Sequence, residues 1–147
     1  MQISISTVVD ASLSDCIHGF TEDLFLKLNP PFPPVKILRF DGCQGGDWVK
    51  LELNFLLFRQ EWHSYIPHHT QSEQHFEFVD EGKVLPFFLK HWQHRHRLEK
   101  SENDTTITDA IHFSSGFVLF DVLLYPVLYL QFLYRKPIYK KHFRRAS

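Results

Sequence analysis

The stretch Phe87–Gly116 decides the fold. "FFLKHWQHRHRLE" (Phe87–Glu99) is followed by "SEND" (Ser101–Asp104), "TTITDAIHFSS" (Thr105–Ser115) and Gly116. Pro86 opens the first segment, which reads as a long β-strand. A tight turn at Ser101–Asp104 returns the chain into a second strand, so the two pair as a hairpin. Alternation places Trp92, His94, His96 and Leu98 on one face and His91, Gln93, Arg95 and Arg97 on the other. The face with Trp and Leu is the more apolar, and arginines belong in water. His94 and His96 are therefore expected to point inward.

Gly116 ends the hairpin, and Phe117–Arg144 reads as one long helix. Its first part, "FVLFDVLLYPVLYLQFLY" (Phe117–Tyr134), is almost long enough to span a bilayer. Asp121, Gln131 and the central Pro126 favour a buried, kinked core helix instead, since a central Asp costs about 2.5–3.5 kcal/mol on insertion. Arg135, Lys136, Lys140, Lys141, Arg144 and Arg145 follow it. They keep a membrane-surface contact through the basic C-terminal end as the minor alternative.

Upstream, "QISISTVV" alternates as a strand. A helix is expected over Leu13–Leu28, with Ile17, Phe20, Leu24 and Leu28 on one face. "NPPFPP" (Asn29–Pro34) stops it, and "VKILRFDG" resumes a strand. "WVKLELNF", "EWHSYIPHHT" and "QHFEFVD" read as further strands, with Gly82 marking a connection. The turn within "LLFRQEW" has no glycine or proline to place it. The order is strand, helix, about six strands, long helix, with no repeat or linker between them. One α+β domain over residues 1–147 follows, its antiparallel sheet curled around the C-terminal helix. Such a wrap leaves a cavity between sheet and helix.

Composition agrees with one domain. A chain of 147 residues can bury a substantial core. Fifteen Phe suit bulky packing or an apolar cavity. With 16 basic and 17 acidic side chains there is no global field for nucleic acid. Cys16 and Cys43 form no disulfide framework and no zinc set. "MQISISTVVD" has neither a basic n-region nor an apolar h-segment, which makes a cytoplasmic location the default expectation.

Several residues carry a resemblance. They are Trp62, Phe78-Val79-Asp80, Pro86-Phe87, Trp92-x-His94-x-His96, and Thr106 with Asp109. The ending "FLYRKPIYKKHF" (Phe132–Phe143) joins them. Together with the element order, this pattern resembles the helix-grip fold of the START-like, SRPBCC superfamily, which includes Bet v 1-like proteins, polyketide cyclases and lipid-transfer proteins. Within it, a bacterial subgroup with the W-x-H-x-H strand is most similar. The resemblance implies binding or carriage of a hydrophobic, lipid- or polyketide-like small molecule. Trp62, Phe78, Trp92, His94, His96 and Asp109 would line its site, and Leu124 and Leu128 from the middle of the helix would roof it. No cofactor is implied. Two alternatives stand beside this reading. One is a cyclase- or dehydratase-like enzyme with His94 or His96 as general base and Asp109 behind it. The other is an interaction module whose pocket is filled by Phe.

His-x-His on a strand is also a spacing that zinc sites use, but a third ligand is needed. His112, Asp109 and Glu52 are available in sequence. Asp109 and His112 have opposite parity, so at most one faces inward. No metal is expected on this reading. A buried histidine needs partners for both ring nitrogens, and Asp109 is a suitable one.

Overall fold

The computed structural model describes residues 1–144. Strands are β1 (Gln2–Val9), β2 (Val35–Phe40), β3 (Trp48–Asn54), β4 (Arg59–Tyr65), β5 (His69–Gln71), β6 (His75–Val84), β7 (His91–Ser101) and β8 (Asp104–Ser114). Helices are α1 (Leu13–Gly19), α2 (Glu22–Leu28), α3 (Val118–Leu133) and α4 (Arg135–His142). The antiparallel sheet runs β1-β8-β7-β6-β4-β3-β2, and β5 pairs with β6. The α+β helix-grip architecture is as expected.

Local differences have local causes. The expected first helix divides at Phe20, whose ring turns inward to stack on Tyr139 and Phe143, with centroids 6.1 and 6.0 Å away. Gly19 leaves no room for a side chain there, because a Cβ would collide with the Phe143 ring. The segment expected as one strand, "EWHSYIPHHT", is two. Pro67 interrupts it, and β4 and β5 lie along different parts of β6. Gly82 is no connection. It sits within β6 where the pairing to β4 shifts register, as at a bulge. A Cβ on Gly82 would strike the Leu85 side chain. The first of the two hairpin strands begins at His91, not at Phe87, because Pro86–Lys90 forms a turn in which Leu89 N–H donates to Pro86 C=O. In the turn that sequence could not place, Leu56 adopts φ +71° and its N–H donates to the Asn54 side chain at 2.9 Å. The Asn54 side chain closes an Asx-type turn, while Leu56 takes the left-handed conformation that glycine more often fills.

The C-terminal helix also departs from expectation. It divides at Tyr134, with Pro126 inside α3. Pro137, in the first turn of α4, has no N–H to continue the ladder from the end of α3. More consequential is burial. Only Asp121, Leu128 and Phe132 of α3 are buried, so the expected core helix is largely solvent-exposed. Leu119, Phe120, Leu123 and Leu130 stand 58–63% exposed. The run Val118–His142 is long and apolar enough to cross a membrane by length and composition alone. Arg145 of the basic tail lies outside the described residues.

The core is two clusters. One packs α1, α2 and α4 against β6–β8 through residues such as Leu24, Phe76, Ile107 and Tyr139. The other packs α3 against β1, β7 and β8 through Ile3, Trp92, Phe113, Leu128 and Phe132. The candidate site lies where they meet.

Candidate functional site

Strand β7 carries the site. Its alternation holds: Trp92, His94, His96 and Leu98 are buried, and His91 and Arg95 are exposed. Register then decides the neighbours. On one side β6 sets Asp80 opposite His94 and Phe78 opposite His96. On the other, β8 sets Asp109 opposite His96. His112 faces outward, with its ring 5.1 Å from His91. Glu52 is engaged with Arg59 at 3.3 Å. Of the three carboxylate and histidine candidates weighed beside His94 and His96, only Asp109 faces in.

His94 Nε2 lies 2.9 Å from Asp109 Oδ1, a fully buried hydrogen bond. His96 Nδ1 approaches the same oxygen at 3.3 Å, but off the hydrogen-bond direction, and has no partner among the described residues. The Tyr139 hydroxyl donates to Asp109 Oδ1 at 3.4 Å, and Arg135 Nη1 stands 3.8 Å away. The Arg135 guanidinium covers the Phe132 ring at 4.1 Å. The two histidine rings lie side by side, centroids 3.7 Å apart, and Phe78 stacks on His96 at 4.3 Å.

Protonation follows from these contacts. Burial works to raise the Asp109 carboxyl, but the imidazoles of His94 and His96 and the Arg135 charge outweigh it. The result lies well below the usual carboxylate range. Burial, then the neighbouring His96 charge, pushes the His94 imidazole down to about 3 despite Asp109. At neutral pH the pair is therefore a neutral imidazole donating to a carboxylate. Burial raises the Asp80 carboxyl, against the lowering influence of His96. Burial likewise raises the Tyr139 hydroxyl, which stays protonated as a donor.

Above this cluster a cavity of about 380 Å³ opens between the sheet and α3. Its size suits a small organic ligand. Trp62, Trp92, His94, His96, Leu124 and Leu128 all border it. Trp62 and Trp92 meet edge to face at 4.7 Å, and Trp62 Nε1–H donates to Ser64 Oγ at 3.2 Å. Two expected lining residues sit elsewhere. Phe78 borders a smaller adjoining space behind His96, and Asp109 lies beneath His94 without reaching the cavity. Asp80 and Arg135 do reach it, and sequence reading had given them no site role. A signal for Asp80 existed, since it shares the parity of the buried Phe76 and Phe78.

The chain has a helix-grip fold, a curved antiparallel sheet with a long C-terminal helical segment laid against it. Solved structures agree across nearly the whole chain. Protein CV1439 from Chromobacterium violaceum matches with TM-score 0.71 and 13% identity, over 99% of this chain and 98% of that one. The Zhui aromatase/cyclase from Streptomyces sp. R1128 matches with TM-score 0.64 and 13% identity, over 96% and 92%. Ara h 8.0201 matches with TM-score 0.59 and 13% identity, over 97% and 94%. No family model matches the chain, and no curated protein matches it by sequence.

Proposed function

We propose that this protein binds and carries a hydrophobic small molecule, lipid- or polyketide-like, in the cavity between sheet and α3, and that it works in the cytoplasm. The carrying observation is an apolar space of about 380 Å³ whose floor is the buried polar group of Asp80, His94, His96 and Arg135. Apolar walls supply affinity, and a few convergent polar groups fix orientation, here of a ligand carbonyl or hydroxyl. An open cavity of this size speaks against a pocket filled by Phe.

The cyclase-like reading has one feature in its favour: the His94–Asp109 pair at the floor. Its weakness is basicity. A general base works best with a pKa near the operating pH, and His94 is pushed down to about 3. Carriage without turnover is the better supported reading.

The exposed apolar face of α3 borders the cavity through Leu124 and Val127, and Lys136, Lys140 and Lys141 follow on α4. An apolar face next to a basic cluster suits an anionic membrane surface. Loading from or delivery to such a surface fits that arrangement.

Native mass spectrometry of freshly purified protein, then of the same sample denatured, tests carriage directly. A lipid- or polyketide-sized mass should accompany the folded chain and leave on denaturation. Leu124→Trp, which fills the cavity, should abolish both that mass and the binding of an apolar fluorescent probe. Undiminished probe binding by this variant would move the ligand out of the cavity.

A further inference from the structure

Asp80, His94 and His96 can each offer one ligand atom, and the three atoms lie within 4.8 Å of one another. The strand spacing supplies the two imidazoles, and the register that sets Asp80 opposite His94 supplies the carboxylate. Sequence alone offered Asp109, His112 and Glu52 as third ligands, and none of them completes the set.

His94 is arranged for donation from one nitrogen. Its Nε2 meets Asp109 Oδ1 at 2.9 Å. An ionised carboxylate only accepts, so Nε2 carries the hydrogen and Nδ1 presents a lone pair. That lone pair faces Asp80 Oδ2 across 4.0 Å. The gap is too long for a direct hydrogen bond. Ligand atoms on one tetrahedral zinc ion stand about 3.3 Å apart, given bonds of about 2.0–2.1 Å, so this gap and the 4.8 Å spread of the three atoms close onto an ion by side-chain rotation. Asp80 Oδ1 and His96 Nδ1 are both buried without a hydrogen-bond partner among the described residues.

We propose that Asp80, His94 and His96 form a three-ligand site for a divalent transition-metal ion, with the remaining coordination position open to the apolar cavity. Two imidazoles and one carboxylate are a donor set that zinc and non-haem iron accept, and three protein ligands leave room for a ligand oxygen. Asp109 is a positioning residue: it holds the His94 tautomer and ring from behind, as carboxylates do behind metal-bound histidines. The metal site shares its cavity with the proposed hydrophobic ligand but does not depend on it, so either can fail alone.

Titration of the purified full chain with Co²⁺ tests this, read by visible absorption and by quenching of Trp62 and Trp92, which border the same cavity. One equivalent should bind and be displaced by Zn²⁺. Asp80→Asn, which keeps the side-chain shape, should weaken binding at least tenfold, as should His96→Ala. Asp109→Asn should weaken it by about 10–100-fold. His68→Ala and His91→Ala, on the exposed surface, should change nothing. Circular dichroism confirms folding, and Asp80→Asn decides the matter if the histidine variant is unstable. Absence of saturable binding overturns the proposal. So does binding that survives Asp80→Asn but is lost with His91→Ala, which would move the ion to the outer His91–His112 pair.

Discussion

At the scale of single residues, the buried group around Asp109 gathers two imidazoles, a phenol and a guanidinium about one carboxylate. Four side chains approach one carboxylate oxygen, His94 and His96 from β7 and Arg135 and Tyr139 from α4. Removing the carboxylate would leave His94 Nε2–H and the Arg135 charge facing a void. Asp109→Ala is expected to cost about 3–5 kcal/mol, read as a lowered urea midpoint. The pH response has a definite sign. His94 is near 6.5 when unfolded and about 3 when folded, so the unfolded chain binds the extra proton between those values. Its contribution to stability is complete above about pH 6.5 and is lost as pH falls toward 3. Thermal melts of metal-free protein should therefore show a falling Tm from pH 7 to pH 4, and His94→Gln should flatten that slope.

At the scale of elements, α3 has two faces of similar composition and opposite fates. Leu128 and Phe132 reach Trp92 and β8 in the core, whereas Leu119 and Leu130 stand in solvent. Leu128→Ala should cost about 2–5 kcal/mol in chemical denaturation, because its site cannot collapse against a rigid sheet. Leu119→Ser paired with Leu130→Ser should change stability by about 0.5 kcal/mol or less for each site. The same pair should lose most of its binding to anionic vesicles in co-sedimentation. If vesicle binding persists, the exposed face serves some other partner, such as a second copy of the chain.

At the scale of the whole molecule, the near-neutral net charge of −1 conceals a local asymmetry. Basic residues cluster on α4 directly after the apolar α3, while the single acid of α3, Asp121, is taken up by Ser114 and Ser115. Any vesicle affinity should therefore rest on this one region and weaken as salt rises from low to physiological strength. Vesicles of neutral lipid should bind less than anionic ones at every salt concentration. Equal binding to both would assign the contact to apolar burial alone.

Pattern along the chain determined the sheet hairpin, the inward face of Trp92, His94 and His96, and the helix-grip order, because period-2 alternation and turn residues are local properties. Ile17, Phe20, Leu24 and Leu28 also showed which face of the first helical region packs inward. Tertiary structure decided the rest. Phe20, at the break in that helix, stacks on Tyr139 and Phe143, more than a hundred residues away in sequence. Asp80 joins His94 only through the register of β6 on β7, which no single strand encodes. The exposure of α3 escaped the sequence for a similar reason. An apolar helix reads alike whether a sheet covers one of its faces or both, and here the curved sheet covers only one.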